Sequence, residues 1–216
     1  RCMATSVAVP VGDVADAIVE RLTDHAGSLR VGPTHEGDDV DLGPLIRSQH
    51  VDRVASFVDA AASDGATVVL DGRTSDAGNG FFLGPSIVDH VAAEMPVAHT
   101  EIFGPLLSVI RAKSLDDALQ LGRNCEFGNG ASIFTRDGYT ARRFREEFPA
   151  GMIGINVGVP APMAWFPFTG WNSSFFGDLH VQGAEGIQFY TRQKVTLTRW
   201  HRPTGDDPSD PVWKSS

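Results

Sequence analysis

Cysteine is scarce: Cys2 and Cys125 are the two in 216 residues. So few thiols exclude a disulfide-stapled secreted scaffold, and neither has the CxxC or Cys/His spacing of a zinc site. Both are expected to be reduced, which points to a cytoplasmic chain. No apolar run approaches the ~20 residues that a membrane span needs, and the first residues do not read as a secretory signal. No Lys/Arg cluster tracks phosphates, and the formal net charge is −9, so neither nucleic acid nor a membrane is expected as a partner. Arg142, Arg143 and Arg145 gather on one expected helix, as a solvated face does. The seven histidines (His25, His35, His50, His90, His99, His180 and His201) are isolated, with no HExxH or HxH pattern. No metal site is expected. No GxGxxG follows a strand and no GxSxG elbow is present, so the usual dinucleotide fingerprint and the usual serine-hydrolase signature are both missing.

What is there reads as an ordinary globular protein, with 42% of residues apolar and 21% charged. The length suits one domain or one and a half, and suffices to bury a core without metal or disulfide help. The chain opens at Arg1 and runs straight into strand-like sequence, so it reads as a piece of something longer. Thr5–Val11 is Val-rich and predicts a buried strand. Asp13 is a candidate N-cap, with Val14, Ile18 and Leu22 on one face of the helix that follows. Gly27–Pro44 is rich in Gly, Pro and Asp and predicts a long loop. A second helix is expected over Ser48–Asp64, with Val51, Val54, Ala55, Val58 and Ala62 as its apolar stripe. Thr67–Leu70, Leu106–Arg111, Ala131–Thr135 and Met152–Asn156 read as strands, and Phe81–Val91 alternates between strand and turn signals. Ser114 caps one helix, and another spans Tyr139–Glu147.

This alternation predicts an α/β fold, a parallel sheet with helices on both faces. After Asn156 the pattern breaks. Val157–Gly186 is dense in Gly, Pro, Trp and Phe, and a loop that long is usually functional. Lys194–Trp200 predicts a last strand, and Pro203–Ser216 a disordered tail.

Taken alone, Cys2 is most simply an inert core thiol, since cysteine is among the most buried residue types. The rest of the chain changes that reading. Arg1-Cys2-Met3-Ala4, with a Val-rich strand behind it, resembles the active-site cysteine segment of the aldehyde dehydrogenases. Glu101-Ile102-Phe103-Gly104-Pro105 resembles the family's Glu-x-Phe-Gly-Pro motif. Phe82-Leu83-Gly84-Pro85-Ser86-Ile87, Phe127-Gly128-Asn129-Gly130 with Ile133-Phe134-Thr135, Gly151–Asn156, Pro167-Phe168-Thr169-Gly170 and Phe189-Tyr190-Thr191 resemble further landmarks in the same order. The resemblance covers roughly residues 1–200. It implies an aldehyde dehydrogenase catalytic domain over 1–192, an oligomerisation strand over 193–200 and a flexible tail over 201–216. The family's NAD-binding half lies upstream, outside this chain.

Thr169 in place of a glycine, the Ser173–Asp178 run, Gly186–Thr191 and the Gly128-Asn129-Gly130 step resemble the methylmalonate-semialdehyde branch of the family. That branch uses coenzyme A as acyl acceptor. The resemblance implies that Cys2 is the nucleophile, forming a thiohemiacetal and then, after hydride passes to NAD, an acyl thioester. The Cys2 backbone N–H would supply half of the oxyanion hole. Glu101 would accept hydrogen bonds from the nicotinamide ribose hydroxyls and Phe103 would pack beside the nicotinamide, with a surface carboxylate and a core phenylalanine as the plainer alternatives. Arg1 is a candidate clamp for a substrate carboxylate, or a surface arginine. Phe168 would line the aldehyde tunnel with Trp165 or Phe166 nearby, or all three would be core. Asn156 would fix loop geometry.

The expectation is therefore the catalytic part of an NAD-dependent, CoA-acylating semialdehyde dehydrogenase, homo-oligomeric when intact and inactive as this chain alone. Another aldehyde substrate, or a short non-catalytic paralogue acting as an assembly module, are the alternatives.

Overall fold

The most heavily buried segments are two short runs, Ser86–Asp89 and Leu106–Val109. Alternate side chains of a strand point to opposite faces, so strands buried on both sides must be covered on both sides. The computed structural model shows how; it describes residues 3–35, 37, 39–75 and 78–200. In chain order the elements are β1 (Val7–Ala8), α1 (Ala15–Gly27), α2 (Ser48–Ser63), β2 (Thr67–Leu70), β3 (Ser86–Asp89), α3 (Pro96–His99) and β4 (Leu106–Val109). There follow α4 (Leu115–Asn124), β5 (Phe127–Gly128), β6 (Gly130–Ile133), α5 (Gly138–Glu147), β7 (Met152–Ile155), β8 (Trp171–Asn172) and α6 (Gly183–Tyr190).

One sheet has the order β1-β4-β3-β2. Within it β1 and β3 flank β4 in parallel, and β2 is an antiparallel edge on β3. On one face, Ile87, Leu107 and Val109 pack with Val19, Leu22 and Ala26 of α1. On the other, Val88, Leu106 and Ile110 pack with Val54, Val58 and Ala61 of α2. The expected α/β architecture with helices on both faces is present. A second, parallel pair joins β6 to β7, and β5 pairs antiparallel with β8.

The local expectations hold where a side chain has a specific bond to make. Ser114 accepts from the Asp117 N–H at the start of α4, as expected, and Asp137, which the sequence did not single out, accepts from the Thr140 N–H at the start of α5. Such caps satisfy helix N–H groups that have no partner within the helix. Arg143 bonds Glu147 on its own helix and Asp116 of α4, so this member of the basic trio ties α5 to α4.

Several expectations are corrected. Asp13 does not cap α1; it lies in a 3₁₀ turn, Gly12–Val14, with no side-chain cap bond. The buried face of α1 is Ala15 and Val19, with Leu22 and Ala26 packed beside them, while Val14 and Ile18 are 50% and 37% exposed. The 3₁₀ turn delays the α-helix, and the stripe shifts by one residue with it. In α2 the last inward residue is Ala61 rather than Ala62. The Gly- and aromatic-rich segment after Asn156 yields β8 and α6, which its composition concealed. No strand forms over residues 191–200; Val195, Leu197 and Trp200 are 87%, 95% and 88% exposed. A lone strand has no ladder partner within one chain. The expected tail, 201–216, lies outside the described residues.

Candidate active site

The parallel pairing of β1 with β4 (Val7 with Ser108, Ala8 with Val109) makes both strands start at the same end of the sheet. The segment leading into β1 carries Met3, and the segment leading into β4 is Glu101–Pro105. The start of β6 joins them, since Asn129 donates from Nδ2 to the Met3 sulfur at 3.2 Å and a Cβ on Gly130 would lie 2.9 Å from Met3 Cε. The Met3 and Glu101–Pro105 segments thus lie at the same end of the sheet, and Asn129 and Gly130 contact the first of them. The sequence placed each of them just before a strand but not at a common end.

The Glu101–Gly104 loop alternates. Glu101 is exposed, Ile102 is buried at 7% and Phe103 is 56% exposed. Ile102 roots the loop in the core, and its two neighbours face outward. Core packing is therefore not the role of Phe103. Its backbone has φ of 59°, a left-handed conformation that bulky residues rarely adopt and that costs of order 1–3 kcal/mol unless its surroundings enforce it. The loop's carbonyls are held by α2. Arg53 donates to the carbonyls of Ile102 and Glu101, and the Nε2–H tautomer of His50 donates to that of Phe103. The sequence reading treated α2 only as an apolar stripe and missed these two residues. Their spacing, i and i+3 beside Val54, was the one signal available.

Phe168 stands elsewhere, on the irregular segment after β7. It is half-buried and makes a single antiparallel bridge to Val181. Trp165 and Phe166, stacked obliquely at 6.3 Å, are 68% and 56% exposed, so neither is core. Thr169 beside Phe168 donates to the carbonyl of Gly151 at 2.5 Å. His180 is fastened to Glu185 by its backbone N–H and by Nδ1, both at 2.8 Å, and its ring stacks on Phe175. The backbone N–H and then the imidazole hold the Glu185 carboxyl below its ordinary range. Asn156, with φ of 56°, accepts from the Thr135 N–H and donates to the Thr135 carbonyl, so it locks the ends of β6 and β7 together.

Arg1 and Cys2 lie outside the described residues. Cys125 is a free thiol. Among the described residues, no group of three or more His, Cys, Asp or Glu converges on a metal site, and no helix is long and apolar enough to cross a membrane.

A Glu-x-Phe-Gly-Pro loop at the same end of a parallel sheet as the Met3 segment is a feature of one class of protein, and the comparisons agree. The aldehyde dehydrogenase family profile matches residues 1–196, and the chain belongs to that family. Among relatives, it is 48% identical over 202 residues to malonate-semialdehyde dehydrogenase 1 of Geobacillus thermodenitrificans (strain NG80-2), covering 93% of this chain and 42% of that protein. It superposes on the crystal structure of methylmalonate-semialdehyde dehydrogenase from Oceanimonas doudoroffii with a TM-score of 0.89 and 45% identity, over 94% of this chain and 42% of that one. A candidate methylmalonate-semialdehyde dehydrogenase of Sinorhizobium meliloti 1021, complexed with NAD, matches with a TM-score of 0.91 and 42% identity, over 95% and 43%. The chain thus spans less than half the length of the relatives it matches.

Proposed function

We propose that this chain is the catalytic part of an NAD-dependent, CoA-acylating dehydrogenase of methylmalonate or malonate semialdehyde. The observation that carries the reading is the convergence of the Met3 segment and the Glu101–Gly104 loop at one end of the sheet. It fits a nucleophile, Cys2, working beside a cofactor contact. The loop also suits the cofactor, because it displays a carboxylate and an aromatic ring outward on a backbone rooted by Ile102. A carboxylate can accept from two adjacent hydroxyls, as a ribose offers.

When bound, NAD supplies the hydride acceptor. The chain's own residues do the rest. The Cys2 thiolate adds to the aldehyde carbon and the carbonyl oxygen becomes an alkoxide, stabilised by the Cys2 backbone N–H. Loss of hydride from that carbon leaves an acyl thioester on Cys2. The thiolate of coenzyme A then attacks the thioester carbonyl, an acyl-CoA departs and Cys2 regains its thiolate. Decarboxylation of the three-carbon or branched acyl group gives acetyl-CoA or propionyl-CoA. Arg1 grips the substrate carboxylate, for which a planar guanidinium fork is well matched. Glu101 holds the nicotinamide ribose, Phe103 packs beside the ring, and Phe168 lines the aldehyde path. Residues 193–200, where Val195 and Leu197 are exposed, would form a strand only against a second copy.

The test is an assay of the full-length protein with NAD, coenzyme A and a panel of aldehydes. NADH and acyl-CoA should form together from the semialdehydes. Cys2→Ser should abolish both while leaving NAD binding intact, and Arg1→Ala should raise KM for methylmalonate semialdehyde far more than for propanal. Free acid as the product whether or not coenzyme A is present would sink the CoA-acylating reading. Equal KM effects on both aldehydes would sink the role of Arg1.

A further inference from the structure

The outward display of Glu101 and Phe103 has a visible cause in α2. His50, Arg53, Val54 and Phe57 fall at i, i+3, i+4 and i+7, one side of the helix. All four serve the same loop. Arg53 Nη1 donates to the Ile102 carbonyl at 2.6 Å and Nη2 to the Glu101 carbonyl at 2.9 Å. Its guanidinium lies over the Phe57 ring, 5.2 Å from the centroid, which fixes the plane of the fork. His50 Nε2 lies 2.9 Å from the Phe103 carbonyl. Gly104 sits so close to Val54 that any side chain there would collide with it.

Three successive carbonyls, 101 to 103, therefore turn to the same helix, and each meets a side-chain donor. An extended strand points successive carbonyls alternately to left and right and cannot do this. The left-handed φ of Phe103 allows it. With the carbonyls bound inward and Ile102 in the core, the carboxylate of Glu101 and the ring of Phe103 are left facing out.

We propose that Arg53 and His50 are positioning residues, which hold the Glu101–Phe103 backbone so that its two outward side chains meet the nicotinamide half of the cofactor. This rests on the reading of Glu101 and Phe103 as cofactor contacts. It assigns the two residues no contact with NAD. They act through the loop.

The experiment uses the full-length protein and two readouts: the Kd for NAD by calorimetry, and hydrogen exchange of the 101–106 amides without cofactor. Arg53→Met keeps the aliphatic stem over Phe57 and removes both donors. It should speed exchange across 101–106 and weaken NAD binding about tenfold, the loss expected for hydrogen bonds from a charged donor. Arg53→Lys, with one compact ammonium for two carbonyls, should fall between, and it replaces Arg53→Met if that variant does not fold. His50→Gln, which keeps a donor, should stay closer to wild type than His50→Ala. Arg53→Met combined with Glu101→Gln should lose less NAD affinity than the two single losses added together, because Arg53 acts in part through Glu101. Wild-type NAD affinity in Arg53→Met despite faster loop exchange would overturn the proposal, as would additive losses in the double variant. Glu101→Gln alone tests the underlying reading: unchanged NAD affinity there sinks the cofactor role of Glu101, whereas a loss there with none in Arg53→Met sinks only the positioning role.

Discussion

Thr169 ties the irregular segment to the residue just before β7, its hydroxyl donating to the carbonyl of Gly151 at 2.5 Å. The approach is close on both sides, since a Cβ on Gly151 would lie 2.9 Å from the Thr169 backbone and hydroxyl. The Thr169 hydroxyl thus has a structural use. It anchors the backbone next to Phe168.

Thr169→Val keeps the shape of the side chain and removes the hydroxyl, leaving the half-buried Gly151 carbonyl without its partner. The expected cost is about 1–2 kcal/mol, read as a lower urea midpoint with an unchanged slope. Thr169→Ser, which keeps the donor, should recover most of it.

Gly104→Ala should be harmful for a reason of space. The new methyl would press on Val54, which is fully buried in the main core. Overpacking of this kind costs about 1–3 kcal/mol. Val54→Ala alone is also destabilising, by loss of buried methyl groups. Together the two changes should cost less than their sum, because the second makes room for the first. A thermal-unfolding double-mutant cycle measures the difference, and strict additivity would contradict the contact.

Asp89 is 2% exposed at the end of β3 and is held by Arg111, which donates from Nε at 3.1 Å and from Nη2 at 2.7 Å. Burial pushes the carboxyl up, but the hydrogen bonds from Arg111 and the His90 N–H outweigh it and hold the group below its ordinary value of 3.8. A carboxyl whose folded value is depressed stabilises the fold above its unfolded value, and that stability is lost as pH falls through the folded value. Asp89→Asn should therefore cost about 2 kcal/mol near neutral pH. The gap from wild type should narrow as the pH drops below 3.8, the ordinary value for this group. Urea titrations at a series of acidic pH values measure this, and a gap that widened on acidification would contradict it.

Where the sequence read correctly, the cause was local. Ser114 supplies an oxygen to an N–H three residues on, so that cap can be seen in a short window. The mostly apolar run of β4 read as a strand because its burial on both faces leaves little polar alternation. The failures were also physical. Asp13 looks like a cap, but a 3₁₀ turn intervenes and no bond forms. Gly, Pro and aromatic residues after Asn156 mask α6, whose first-turn Glu185 is held by His180.

The sequence by itself determined the family, most of the helices and strands before Asn156 and the identity of the candidate residues Arg1, Cys2, Glu101, Phe103 and Phe168. These are properties of short motifs and of their order along the chain. Only the tertiary structure decided that the Met3 and Glu101 segments enter the sheet from one end, and that α2 grips three carbonyls of the loop carrying Glu101. Strand register and the aim of a backbone carbonyl depend on contacts about fifty or a hundred residues apart, and no local pattern of side chains encodes them.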